Sequence, residues 1–440
     1  MASPLKVMVV DDTITYRMIM KKVVESIPGI QVTATLSNGK LALDKITSQF
    51  GSGDPDRPDV VLLDVEMPVM DGLASLKEIG KRFPHVTVVM VSGLSRSNAN
   101  IIMECLNAGA LDFITKPMES NVDRAKEALR KDLEPILSVI LKEKSAGDGK
   151  GADVGKAVEG EASGKSEGTV DKADSSRVQG PLTGVRRVDA SAVRSQPGGK
   201  GSGVVSPAGL APARGLSALG VPGTRVVVSG GGSVPKAVVP AKAALDVPEL
   251  ILVGSSTGGP AALTKLLGKI GEKLPVPMLI VQHMPPVFTA SLAAQLTRTS
   301  GLEVREAQDA QWVEPGDILI AQGGRHMTLV SENRRLKIVF NDGPKVNECR
   351  PAVDVLFMSA MATFQGRILA IVLTGMGRDG ANGVDALKRA GRTFCITQDK
   401  KTCVVYGMPR SVDEKGLSDL SLPLDEIGPK IVDLCGSGGR

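Results

Sequence analysis

Short runs of β-branched and aliphatic residues recur early in the chain, each followed by a stretch whose apolar positions return every three or four residues. Runs at 7–10, 60–63 and 86–91 are continuous enough for strands buried on both faces. Residues 111–114 make a shorter candidate, and the more polar 31–36 suits an edge strand. Helical patterns separate them over 16–27, 40–48, 73–82, 98–108 and 121–133. Five such β-α repeats predict an open, doubly wound parallel sheet. From 141 to 246 the periodicity fades into Gly, Ser, Ala, Val, Pro and mixed charge. Such a stretch buries too little apolar surface to offset its ordering entropy, which predicts a flexible linker. Strand-helix alternation resumes after Val247. The expected organisation is α/β twice over, a flavodoxin-like domain at 1–140 and a three-layer α/β/α domain at 247–440, joined by the linker at 141–246.

Composition changes this picture little. A net charge of +5 is small for 440 residues and the basic residues are spread out, so nothing demands nucleic acid or an anionic membrane. The apolar run at 7–10 stops at Asp11 and Asp12, too short for a signal peptide or a span, and no direct membrane insertion is expected. Cys105, Cys349, Cys395, Cys403 and Cys435 are scattered with no CxxC pair, which argues for reduced thiols in a cytoplasm. The expected oligomeric state is a monomer.

In a doubly wound sheet, ligands bind outside the carboxyl ends of the strands. Those ends carry Asp11 and Asp12, then Asp64, then Ser92, then Lys116. Three carboxylates from two strands would repel unless a hard cation sits among them, and Mg2+ takes oxygen ligands in this way. Aspartates at strand ends can also be plain turn-formers, which explains each one singly but not five compatible side chains together. The segments Val-Asp-Asp-Thr (10–13), Asp-Val-Glu-Met-Pro-Val-Met-Asp-Gly (64–72), Val-Ser-Gly (91–93) and Asp-Phe-Ile-Thr-Lys-Pro (112–117) resemble the receiver domain of bacterial response regulators over roughly the first 125 positions. That resemblance implies phosphorylation of Asp64 by a histidine kinase, with Mg2+ held by Asp11, Asp12, Asp64 and the backbone carbonyl of Glu66. It also implies phosphoryl contacts from Ser92 and Lys116, and an aromatic switch at Phe113.

The second domain opens on an apolar strand followed by Gly254-Ser255-Ser256-Thr257-Gly258-Gly259-Pro260 and a helical pattern. This places Ser256 in a G-x-S-x-G turn, where glycines let a serine hydroxyl stand exposed beside a helix N-terminus. A phosphate loop is the alternative, but the GKS ending and the GxGxxG spacing are missing. Of three histidines, His85 reads as structural, His283 directly follows a strand, and His326 enters another strand as a second candidate base. For the orienting acid, geometry favours Asp379, whose glycine-rich strand-to-helix turn is another carboxyl end of the same sheet, whereas Asp354 at a helix start could cap it or pair with Arg350. The order Ser, His, Asp differs from that of α/β-hydrolases.

The segments 254–260, Gln-His-Met-Pro (282–285), Gly-Gly-Arg-His-Met (323–327), Cys-Arg-Pro-Ala-Val-Asp-Val-Leu-Phe (349–357), Leu-Thr-Gly-Met-Gly-Arg-Asp-Gly (373–380) and Cys-Val-Val-Tyr-Gly-Met-Pro (403–409) resemble the chemotaxis protein-glutamate methylesterases called CheB. By that resemblance Ser256 is the nucleophile, His283 the general base and Asp379 the orienting carboxylate, with Thr257 and Met376 helping to bind the oxyanion and no cofactor in this half. The implied activity is hydrolysis of glutamate γ-methyl esters, with deamidation of glutamines, on methyl-accepting chemotaxis receptors, and recruitment to receptor clusters. Ala352 stands where serine is common in that family. A DNA-binding output would need a recognition helix that the glycine-turn pattern lacks, and a catalytically silent scaffold is the other rival.

Overall fold

The computed structural model describes residues 3–118, 121–147, 247–271 and 273–436. The expected linker lies outside the described residues from 148 onward. The first domain runs β1 (Leu5–Val10), α1 (Ile14–Glu25), β2 (Ile30–Leu36), α2 (Gly39–Gly51), β3 (Val60–Asp64), α3 (Gly72–Arg82), β4 (Thr87–Ser92), α4 (Arg96–Asn107), β5 (Asp112–Thr115) and α5 (Val122–Gly147). Its strands pair in parallel in the order β2-β1-β3-β4-β5, with β2 at the edge as its polar pattern suggests. The central strands are buried on both faces, which is why they read as unbroken apolar runs.

Helix starts follow side-chain caps. Asn38 accepts from Leu41 N–H at 3.0 Å, Asp71 from Ala74 N–H at 2.8 Å and Ser95 from Asn98 N–H at 3.1 Å, which opens α2, α3 and α4 ahead of the apolar pattern. Helix α5 runs past the end expected at 133 and past the domain boundary placed at 140. Its apolar stripe continues through Ile136 and Leu137, both buried, and Lys144 Nζ lies 2.6 Å from Asp59 of the neighbouring strand-edge loop.

The second domain contains β6 (Leu250–Ser255), α6 (Gly259–Gly268), β7 (Met278–Gln282), α7 (Phe288–Ser300), β8 (Val304–Glu306), β9 (Ile318–Ile320), β10 (His326–Glu332), β11 (Arg335–Asn341), α8 (Val353–Thr363), β12 (Ile368–Val372), α9 (Ala381–Arg389), β13 (Thr393–Gln398), α10 (Met408–Asp413), β14 (Leu420–Leu422) and α11 (Leu424–Gly436). Seven parallel strands lie in the order β14-β13-β12-β6-β7-β9-β8. Successive β6 residues serve opposite faces: Ile251 and Val253 join one apolar cluster, Leu250 and Leu252 the other. Three layers result. The departure from plain alternation is the antiparallel hairpin β10–β11, whose period-two burial lets one face pack with Leu356 and Phe357 of α8.

Strand β6 lies between β12 and β7, so the chain winds first to one side of it and then to the other. Such a reversal leaves a crevice at the carboxyl ends of the central strands. One apolar cluster also continues from the first domain into the second, taking in Ile102 and Met103 of α4 as well as Leu292 and Leu296 of α7.

Candidate active sites

In the first domain, Asp11, Asp12 and Asp64 converge so that one oxygen from each lies within 4.8 Å of the others. Asp11 and Asp64 are buried, whereas Asp12 is exposed. Lys116 Nζ reaches both Asp11 Oδ2 and Asp64 Oδ2 at 2.7 Å. One lysine cannot neutralise three carboxylates, and Asp11 Oδ2 has no aligned hydrogen-bond donor. Burial pushes the Asp64 carboxyl up to about 6, against the opposing pull of Lys116. Glu66, exposed, lines a cavity of about 500 Å3 beside Asp12. Ser92 is buried and donates to the Gly93 carbonyl at 3.2 Å. The donor set of buried, under-neutralised oxygens suits a small hard cation.

In the second domain, the sheet brings Ser256 to the end of β6, His283 to the end of β7 and Asp379 to the turn after β12. Ser256 N–H donates to Thr374 O at 3.0 Å, while Ser256 O accepts from Gly259 N–H at 2.7 Å and from Gln282 Nε2 at 2.9 Å. Gln282 also accepts from Ser255 Oγ at 2.6 Å, which ties the Ser256 turn to the strand carrying His283. Two glycines are required here. Gly258 has φ +74°, and a side chain at Gly259 would meet Gln282 Oε1 at 1.9 Å.

His283 Nε2 lies 2.7 Å from Asp379 Oδ2, and Nδ1 lies 3.4 Å from Cys349 Sγ. Burial alone would favour the neutral imidazole, but Asp379 and Cys349 outweigh it and raise the ring to about 9. Among the described residues no hydrogen bond joins the Ser256 hydroxyl to His283. The structure therefore pairs His283 with Asp379 but not with Ser256. The competing histidines are engaged elsewhere: His326 Nε2 is 3.0 Å from the Pro344 carbonyl, and His85 stacks edge-on against Phe50.

The two aspartates that compete in the sequence occupy complementary places. Asp379 accepts from Val353 N–H at 2.6 Å and Asp354 N–H at 3.0 Å, the first amides of α8. Asp354 in turn accepts from Gly380 N–H at 2.9 Å and Gly383 N–H at 2.7 Å, at the start of α9. Each caps the helix of the other, satisfying amides that a helix start leaves open and placing negative charge where the helix dipole favours it. Asp354 therefore does not pair with Arg350, which donates instead to the Asp342 and Gly343 carbonyls at 2.8 and 2.9 Å. Sequence reasoning missed Asn347, whose Nδ2 donates to both Asp354 Oδ2 at 2.9 Å and Asp379 Oδ1 at 2.8 Å. It also missed the Cys349 contact, although Cys349 stands inside a recognised segment.

The first domain touches the mouth of this site. Phe113 stacks on Phe288 with centroids 4.6 Å apart, and the Thr257 side chain lies beside Asp112, whose carboxyl burial raises to about 6. Met376 packs against the first domain's apolar cluster, and Lys131 Nζ lies 2.8 Å from Glu348, next to Cys349.

Comparison with known proteins agrees with both halves. The family model described as "Response regulator receiver domain" matches residues 7–129, and that described as "CheB methylesterase" matches residues 251–431. A Desulfotalea psychrophila protein named protein-glutamate methylesterase/protein-glutamine glutaminase is 37% identical over 432 residues, covering 97% of this chain and 98% of its own. The chain belongs to the CheB methylesterase family. A Rhodopseudomonas palustris member with the same name is 36% identical over 440 residues, covering 99% of this chain and 95% of its own. The crystal structure of the Thermotoga maritima CheB methylesterase catalytic domain shares 41% identity, covers 42% of this chain and 98% of that one, and gives a TM-score of 0.41. Among the described residues, no helix of this CheB-family chain is long and apolar enough to cross a membrane.

Proposed function

We propose that the chain is a phosphorylation-controlled serine esterase that hydrolyses glutamate γ-methyl esters, and deamidates glutamines, on chemotaxis receptors. The observation that carries this reading is the His283–Asp379 pair at 2.7 Å, standing at strand ends on either side of the Ser256 turn. Ser256 Oγ attacks the ester carbonyl while His283 takes its proton; methanol leaves, and water then releases the acyl-enzyme. Asp379 holds the imidazole and stabilises its charged form. Because Nε2 faces Asp379, Nδ1 is the nitrogen left for Ser256, and it now faces Cys349. Thr257 and Met376 supply the oxyanion site, and both now touch the receiver domain. The docked arrangement therefore reads as the resting state, with the oxyanion site covered and the base turned to a thiol.

A histidine kinase supplies the phosphoryl group, and Asp64 accepts it. Mg2+ held by Asp11, Asp12, Asp64 and the Glu66 carbonyl would offset the negative charge gathered there. Lys116 and Ser92 then contact the phosphoryl oxygens, and Phe113 transmits the change to Phe288. Raising an open fraction from about 1% to one half needs only about 2.7 kcal/mol of differential stabilisation. Methanol release from methylated receptor, with and without a small acyl phosphate, tests the control. The expected result is stimulation of the wild type and none of Asp64→Ala; equal stimulation of both overturns it. Ser256→Ala should lower the rate by roughly 10^4-fold or more, and retained activity overturns the nucleophile assignment.

A further inference from the structure

We infer that Asn347 is a positioning residue of the esterase site, setting the carboxylate of Asp379 through a side-chain amide shared between two buried aspartates. The inference rests on the reading of Asp379 as the acid that orients His283. Asp354 and Asp379 are 2% and 1% exposed, and two carboxylates this close repel unless donors lie between them. Asn347 Nδ2 supplies one hydrogen to each, at 2.9 and 2.8 Å. Both partners are acceptors, so the amide must present its NH2 group here, and both of its hydrogens are used.

The backbone acts to the same end. Asn347 lies in a tight loop closed by reciprocal hydrogen bonds between Val346 and Cys349, at 3.1 and 3.0 Å. Asn347 has φ +50° and Glu348 φ +63°, a left-handed conformation that asparagine tolerates better than most residues. This turn sends Asn347 to the Asp379 side of the site and Cys349 to the His283 ring, so one loop addresses both members of the pair. The next residue, Glu348, faces the receiver helix α5 through Lys131 at 2.8 Å. The loop thus joins the receiver to the geometry of the catalytic pair.

The other four donors to Asp379 are His283 itself and three backbone amides, Val353, Asp354 and Gly380. Asn347 is the side chain among them that a mutation can remove without touching the helix caps. A displacement of a catalytic group by about 1 Å can cost about a hundredfold in rate.

The test uses the full chain, activated with saturating acyl phosphate, and measures methanol release from methylated receptor. Asn347→Ala should lower kcat by roughly 10- to 100-fold with KM nearly unchanged. It should also move the acid limb of the pH profile to lower pH, because a misplaced Asp379 supports the imidazolium less. Asn347→Asp keeps the shape, removes the donor and adds a third negative charge. Its loss should be larger, and should shrink as pH falls and the introduced carboxyl gains a proton to donate. Trp312 fluorescence, from the single tryptophan of the chain, reports whether the esterase domain is folded. Should the alanine variant fail to fold, the aspartate variant decides. Wild-type kcat and acid limb in a folded variant overturn the inference while Ser256→Ala remains inactive; activity in Ser256→Ala overturns the underlying reading instead.

Discussion

The two sites of this chain hold their carboxylates in opposite ways. In the receiver, one lysine reaches two of three clustered aspartates, and buried Asp11 Oδ2 has no aligned donor. In the esterase, Asp379 receives five hydrogen bonds; burial pushes its carboxyl up, but the hydrogen bond and charge of His283 together with the Asp354 and Val353 amides outweigh burial and hold it below the usual carboxylate range. An under-satisfied cluster has room for an incoming cation and a phosphoryl group. An over-satisfied carboxylate has no capacity left for a ligand and can only orient its neighbour. Satisfaction, more than residue type, separates a binding aspartate from a positioning one.

That contrast can be broken most severely at Asp379. Asp379→Asn should lower methanol release by about 10^4-fold, as expected when the orienting acid of a serine triad loses its charge; a loss below tenfold would mean that the five hydrogen bonds serve folding alone. Next in size is pH. The folded pKa of His283 is raised from 6.5 to about 9, so the stabilisation its charge gives the folded esterase domain is fully present below about 6.5 and is lost as pH rises through about 9. Without phosphodonor, activity should therefore climb about tenfold per unit up to roughly pH 9. Cys349→Ala should move that limb to lower pH, and an unmoved limb would show that the thiol contact is inert.

Smaller effects sharpen the comparison. Phe288→Leu keeps an apolar side chain but loses the stack on Phe113, an interaction of about 0.5–1.5 kcal/mol. Basal activity without phosphodonor should rise by roughly two- to tenfold, while the phosphorylated rate stays level. Asp11→Asn relieves like-charge repulsion in the receiver, so thermal unfolding of that domain should shift up by roughly 2–4 °C even as phosphorylation is lost. A downward shift would mean that Lys116 already balances the cluster.

The receiver was legible because its chemistry sits one or two residues beyond strands that read directly as buried runs. Asp11, Asp64, Ser92 and Lys116 need only a parallel sheet to meet. The esterase was less so. The glycine turn at Ser256 announced itself and strand-end geometry favoured Asp379 over Asp354 as the orienting acid, but nothing in the sequence showed how the two aspartates would be used together. The structure uses both, each on the other's helix. Asn347 carried no signal at all, because an asparagine in a polar loop has no periodicity, and its two partners lie 7 and 32 residues away.

By itself, then, the sequence determined the two parallel sheets, the strand-end placement of the acidic cluster and the serine turn, because burial and turn chemistry are local and repeat along the chain. Only the tertiary structure decided that His283 rests between Asp379 and Cys349, that the receiver meets the Thr257 and Met376 side of the site, and that two aspartates cap one another's helices. Those outcomes depend on which elements pack side by side, and hydrogen bonds formed across such packing leave no pattern in the order of residues.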